Sequence, residues 1–70
     1  IFLLLRRVLS PHKIWYEKGN RFLESGQYEQ AIASYDKAIQ LKLDDYNAWF
    51  KRGVALGNLQ RHEDAIASYD

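Results

Sequence analysis

The sequence predicts an all-α fold, a superhelix of antiparallel helix pairs preceded by a leader helix, and three observations carry that expectation. An octapeptide recurs almost unchanged, EQAIASYD at 29–36 and EDAIASYD at 63–70, so the chain contains an internal repeat. Apolar positions within each unit recur at helical spacing. A turn-forming stretch, SGQY, separates the two apolar stripes of the first unit.

The offset between the octapeptides is 34 residues, and it extends beyond them. Trp15 meets Trp49 and Gly19 meets Gly53; of the 24 pairs from Lys13/Asn47 to Asp36/Asp70, nine are identical, where average composition gives roughly one or two. Tyr16/Phe50, Lys18/Arg52 and Phe22/Leu56 are conservative pairs besides. Before residue 13 only Leu9/Leu43 matches among twelve pairs. The expected organisation is a leader or capping helix, or the end of an upstream segment, over 1–10; a complete unit over 11–45 with helices at 11–25 and 29–42; and a second unit over 46–70, cut short, with helices at 45–59 and 63–70.

The leader reads IFLLLRRVLS. It opens on Ile instead of Met, which leads us to expect a piece of a longer protein. A secretory signal carries its positive charge before the apolar run, whereas Arg6 and Arg7 follow it here. The segment fits the end of a preceding repeat, the last turns of a transmembrane helix with its basic flank, or a short helix that covers the first repeat; we adopt the last. Nine residues fall far below the roughly 20 that span a bilayer.

Ser10-Pro11 starts the first helix, with Ser10 as cap and Pro11 at the first helical position. Trp15, Gly19 and Phe22 lie at i, i+4 and i+7 and define its core face, copied in the third helix by Trp49, Gly53 and Leu56. Gly26 suits the left-handed residue that ends a helix. Ala31, Ile32, Tyr35, Ala38 and Ile39 form the stripe of the second helix. Asp44-Asp45 caps the third. A mid-helix glycine costs about 1 kcal/mol relative to alanine, so Gly19 and Gly53 are expected to admit a close approach by Ala31 and Ala65. Gln60 stands where the first unit has Gly26, and the last eight residues make a helix too short to stand alone, so 63–70 are expected to fray or to be held by another copy.

Composition narrows the function. The chain is 47% apolar and 27% charged, the balance of an ordinary globular domain. With no cysteine there is no disulfide and no thiol chemistry, which suits a reducing compartment. Net charge is +1, split into +3 over residues 1–13 and −2 over the remainder, against a general nucleic-acid surface. His12 and His62 are the only histidines. His62-Glu63-Asp64 point in three directions on a helix and do not form a metal site, and Asp44/Asp45 read as a cap instead of an acid–base pair. We therefore expect no catalytic residue, no metal and no cofactor, and no membrane segment within the chain.

In repeat length and in the order of large and small positions the sequence resembles the tetratricopeptide repeat. The family pattern W-x2-L-G-x2-Y followed by A-x3-F appears as Trp15-x2-Lys18-Gly19-x2-Phe22 with Ala31-x3-Tyr35, and again as Trp49-x2-Arg52-Gly53-x2-Leu56 with Ala65-x3-Tyr69. Lys18 and Arg52 replace the leucine, and Leu43 stands where a closing proline is expected. The resemblance implies stacked helix pairs whose first helices build a concave face, and a module that binds protein or peptide partners without catalysis. On that face the expected contact residues are Lys13, Tyr16, Glu17, Asn20 and Glu24, with Asn47, Phe50, Lys51, Val54 and Asn58 as their copies; Tyr16 and Phe50 are the expected anchors. One branch of the family grips acidic chaperone tails with a clamp of lysines, arginines and asparagines, of which only Asn20 falls at a clamp-like place here. The expected role is a cytoplasmic scaffold or regulatory protein's interaction module. A structural spacer beyond an upstream membrane or signalling domain, and a homodimer through the open repeat end, are the alternatives.

Overall fold

The computed structural model describes residues 10–69, so the expected leader helix over 1–10 lies, but for Ser10, outside the described residues. Those residues form helices α1 (Pro11–Glu24), α2 (Tyr28–Leu41) and α3 (Tyr46–Tyr69), with no strand among them.

α1 begins at Pro11, with Ser10 extended before it (φ −65°, ψ 123°). Ser10 does not cap through its side chain. The Lys13 amide that a serine hydroxyl would take is bound 3.0 Å from the Ser10 carbonyl oxygen instead. At the other end Gly26 adopts φ +78°, the only positive φ among the described residues. The Gln27 amide donates to the Phe22 carbonyl at 2.9 Å and the Gly26 amide to Leu23 at 3.1 Å. These two bonds close the paired loop of a left-handed helix stop and turn the chain back on itself.

α2 then packs antiparallel on α1. Ala31, Ser34, Tyr35, Ala38 and Ile39 are its buried residues, at i, i+3, i+4, i+7 and i+8. Ser34 is a core position that an apolar pattern cannot reveal, while Ile32 is only half-buried. α2 ends at Leu41 without the family's proline. Lys42 is extended, the Asp45 amide reaches back to the Lys42 carbonyl at 3.1 Å, and the Trp49 indole N–H donates to the Leu43 carbonyl at 2.9 Å. Asp45 caps α3 as expected, its Oδ1 accepting from the Ala48 amide at 3.2 Å.

α3 departs from the expected pattern in two ways. It runs unbroken through Gln60, where a turn was expected, for 24 residues. Gln60-Arg61-His62 are ordinary helix residues with no glycine to enter the left-handed region, so continuing the helix avoids the strain that a turn there would impose. Secondly, α3 turns Ala48 and Ala55, both fully buried, toward α2. The face expected to be core is exposed instead, with Trp49 at 49% and Leu56 at 42%. Trp49, Gly53 and Leu56 lie about 100° round the helix from the alanine stripe. In the first unit the equivalent residues Trp15 and Phe22 pack on α2, and the continuous α3 folds no such helix back on Trp49 and Leu56.

Two buried clusters hold the three helices together. Ala31, Tyr35 and Ala55 gather Tyr16, Phe22, Leu23 and Ile32, and Ala38, Ile39 and Ala48 gather Trp15 and Tyr16. The close approach expected at Gly19 exists, but its partner is Tyr35, not Ala31: a Cβ on Gly19 would lie 2.6 Å from Tyr35 Cε1. At Gly53 there is no close approach, with nothing within 4 Å of a Cβ placed there.

Candidate partner-binding surfaces

The ten residues expected on a concave face separate into three groups. Lys13, Tyr16 and Glu17 of α1 and Asn47 of α3 line one cleft of about 280 Å³, completed by His12, Lys42 and Asp45. Lys13 and Asn47 are counterparts in the 34-residue register. The cleft forms because α1 and α3 both begin beside the end of α2, so matching ends of the two units come side by side. Two cations, Lys13 and Lys42, and two acids, Glu17 and Asp45, line this cleft together with Tyr16.

Phe50, Val54 and Asn58 belong to a second, larger groove of about 510 Å³, lined also by Trp49, Gly53, Gly57 and Arg61. Every one of these residues comes from α3, so this groove is a bare helix face. Phe50 is 69% exposed at its start. Asn20, Glu24 and Lys51 line neither cleft.

Asn20 has a structural task. Its Oδ1 accepts the Tyr35 hydroxyl at 2.6 Å. Burial, with Tyr16 and Glu24 nearby, pushes the Tyr35 hydroxyl up to about 12. Tyr16 is likewise partly structural, since its ring lies 5.9 Å from that of Tyr35 at an angle of 50° and touches both buried clusters. Phe50 carries no such duty.

Both departures from the family's leucine find uses. The Lys18 ammonium sits 4.9 Å above the Trp15 ring, and Arg52 pairs with Asp36 at 2.5 Å across α3 and α2. His62 meets the Tyr28 ring edge-on, 6.4 Å between centroids. Among the described residues no group of three His, Asp or Glu side chains could hold a metal ion, and no helix is long and apolar enough to cross a membrane.

A family model described as TPR repeat matches residues 19–60, from the close-packed glycine of α1 to the point on α3 where a turn was expected. The chain belongs to the TPR family. No curated protein and no solved structure matches the chain. TPR domains generally mediate protein–protein interaction, and the match spans the end of α1, all of α2 and the first part of α3.

Proposed function

We propose that this TPR chain is a protein–protein interaction module that holds an extended partner segment in the cleft between the first turns of α1 and α3. The observation that carries the reading is the convergence of Lys13, Tyr16 and Glu17 with Asn47, residues distant in sequence, around one cleft of about 280 Å³. Lys13 and Lys42 can receive carboxylates, Glu17 and Asp45 can receive amines or amide N–H groups, and Tyr16 offers an aromatic floor. Such a set favours a segment of mixed charge over a purely acidic tail. The near-neutral net charge favours a protein ligand over nucleic acid. The cysteine-free composition suits the cytoplasm, and the module has no catalytic task of its own.

The test is a peptide-panel binding measurement on the 70-residue chain. Binding that is lost in Lys13→Ala and in Asn47→Ala, with the helical circular-dichroism signal intact, supports the cleft; both are exposed side chains outside the core. Tyr16→Ala is a poor probe, because it also opens the core. Affinity unchanged by both substitutions would sink the proposal, and a panel with no binder would leave the spacer role.

A further inference from the structure

The outer face of α3 carries an inference separate from the peptide cleft. At about 100° per residue, Tyr46, Phe50, Gly53, Gly57 and Asp64 fall within about 40° of one line along the helix, with Trp49 and Gln60 on one flank and Arg61 on the other. That line runs on the opposite side of α3 from Ala48 and Ala55, which are buried toward α2. Its apolar end stands in the open, with Tyr46 80% exposed. Between that end and the polar one lie Gly53 and Gly57, and no atom comes within 4 Å of a Cβ placed on either. The groove of about 510 Å³ therefore has a glycine floor, with aromatic rings at its start and Arg61 at its far end.

We propose that a second copy of this chain occupies this face, the two α3 helices pairing antiparallel through one self-complementary stripe. With the two-fold axis level with Ala55, Gly53 of one copy meets Gly57 of the other and Tyr46 meets Asp64, because each pair is evenly spaced about that position. The two-fold keeps each flank on its own side, so Arg61 of the second copy comes beside the Phe50 ring and its Gln60 beside Trp49. An arginine on an aromatic ring is a favourable contact. The Tyr46 hydroxyl donates to Oδ2 of the second copy's Asp64, whose Oδ1 accepts from Gln60 Nε2 at 3.2 Å within its own helix. Parallel pairing would set Arg61 on Arg61 and Asp64 on Asp64 and would align two helix dipoles, all unfavourable. The overlap from Tyr46 to Asp64 is about 27 Å of helix. One helix-on-helix contact of that length is a small interface, so the dimer is weak and reversible. Asn47 of the peptide cleft lies about 100° from the centre of the stripe, so the pairing uses none of the cleft's residues.

Sedimentation equilibrium of the 70-residue chain across roughly 1 μM to 1 mM should show a concentration-dependent dimer. Gly57→Glu should raise its dissociation constant about tenfold or more, because the two-fold axis brings the two introduced carboxylates to about 6 Å from each other along the helices, on a floor that needs close approach. In the single chain the same side chain has open space, and glutamate favours a helix over glycine, so the circular-dichroism signal should be retained. Orientation is read by oxidising an equimolar mixture of Tyr46→Cys and Asp64→Cys chains, in a protein that has no cysteine of its own. Disulfides between positions 46 and 64 should dominate, since the antiparallel pair holds like positions about 27 Å apart, beyond disulfide reach. A monomer at every concentration overturns the proposal, as does a dimer indifferent to Gly57→Glu. Cross-linking of like positions overturns it as well, since the helices would then run parallel.

Discussion

Two glycines at matching positions have opposite reasons to be there. Gly19 is buried under the Tyr35 ring, and a methyl on it would come 2.6 Å from Cε1. Gly19→Ala should destabilise by about 1–3 kcal/mol, because overpacking outweighs the helix propensity that it gains. In dilute protein Gly53→Ala should stabilise by about 1 kcal/mol, because its surroundings are open. Urea unfolding of the two variants side by side checks the opposed signs. Tyr35 yields a second test at this scale. Burial pushes its folded hydroxyl from an ordinary 10.0 up to about 12, so the folded state keeps a proton that the unfolded chain gives up first. Stability from this group is fully present below pH 10 and is lost as pH rises from 10 through 12. Tyr35→Phe should flatten that alkaline loss, at a cost near 1 kcal/mol at neutral pH for the bond to Asn20. Thermal melts across the alkaline range measure both effects.

Among the elements, α1 and α2 are closed on each other by a glycine turn, whereas α3 has two halves of different character. Its first half is pinned by the Asp45 cap, by Ala48 and Ala55 in the core and by the Arg52–Asp36 pair. Residues 61–68 are exposed throughout, with His62 against Tyr28 as a tether. A helical stretch with so little burial opens easily. Amides of residues 63–69 should exchange far faster than those of 31–39 in dilute protein, and hydrogen exchange read by mass spectrometry distinguishes the two segments. The Arg52–Asp36 pair contributes little to this difference, since half-exposed ion pairs are worth about 1 kcal/mol or less.

For the molecule as a whole, α2 is the layer on which α1 and α3 both rest. Tyr35 meets Tyr16 of α1 and clusters with Ala55 of α3, so breaking α2 should dissolve everything at once. Ser34→Pro, in the buried stripe of α2, should cost about 3 kcal/mol or more, enough to unfold most of so small a chain. Glu63→Pro should spare the α1–α2–α3 core and shorten only the end of α3. Circular dichroism at 25 °C checks both.

The helix pair, its left-handed glycine stop, the Asp45 cap and the core stripe of α2 were legible in the sequence because they rest on local chemistry: periodicity, turn residues and caps act within a few residues of themselves. Lys13, Glu17 and Asn47 are exposed, as a stripe beside the core register should be, whereas Tyr16, expected as a surface anchor, packs on both buried clusters because α2 and α3 close over it. Three things were decided only in the folded molecule. Tyr35, not Ala31, fills the space at Gly19, since which side chain meets a gap depends on how the two helices cross. α3 turns its alanines, not its tryptophan stripe, to the core, because burial follows whichever partner is present and α2 is the partner present. Gln60 continues the helix where Gly26 stops one, because a residue without a left-handed preference turns the chain only when tertiary contacts repay the strain, and here residues 61–68 find no face of their own to cover.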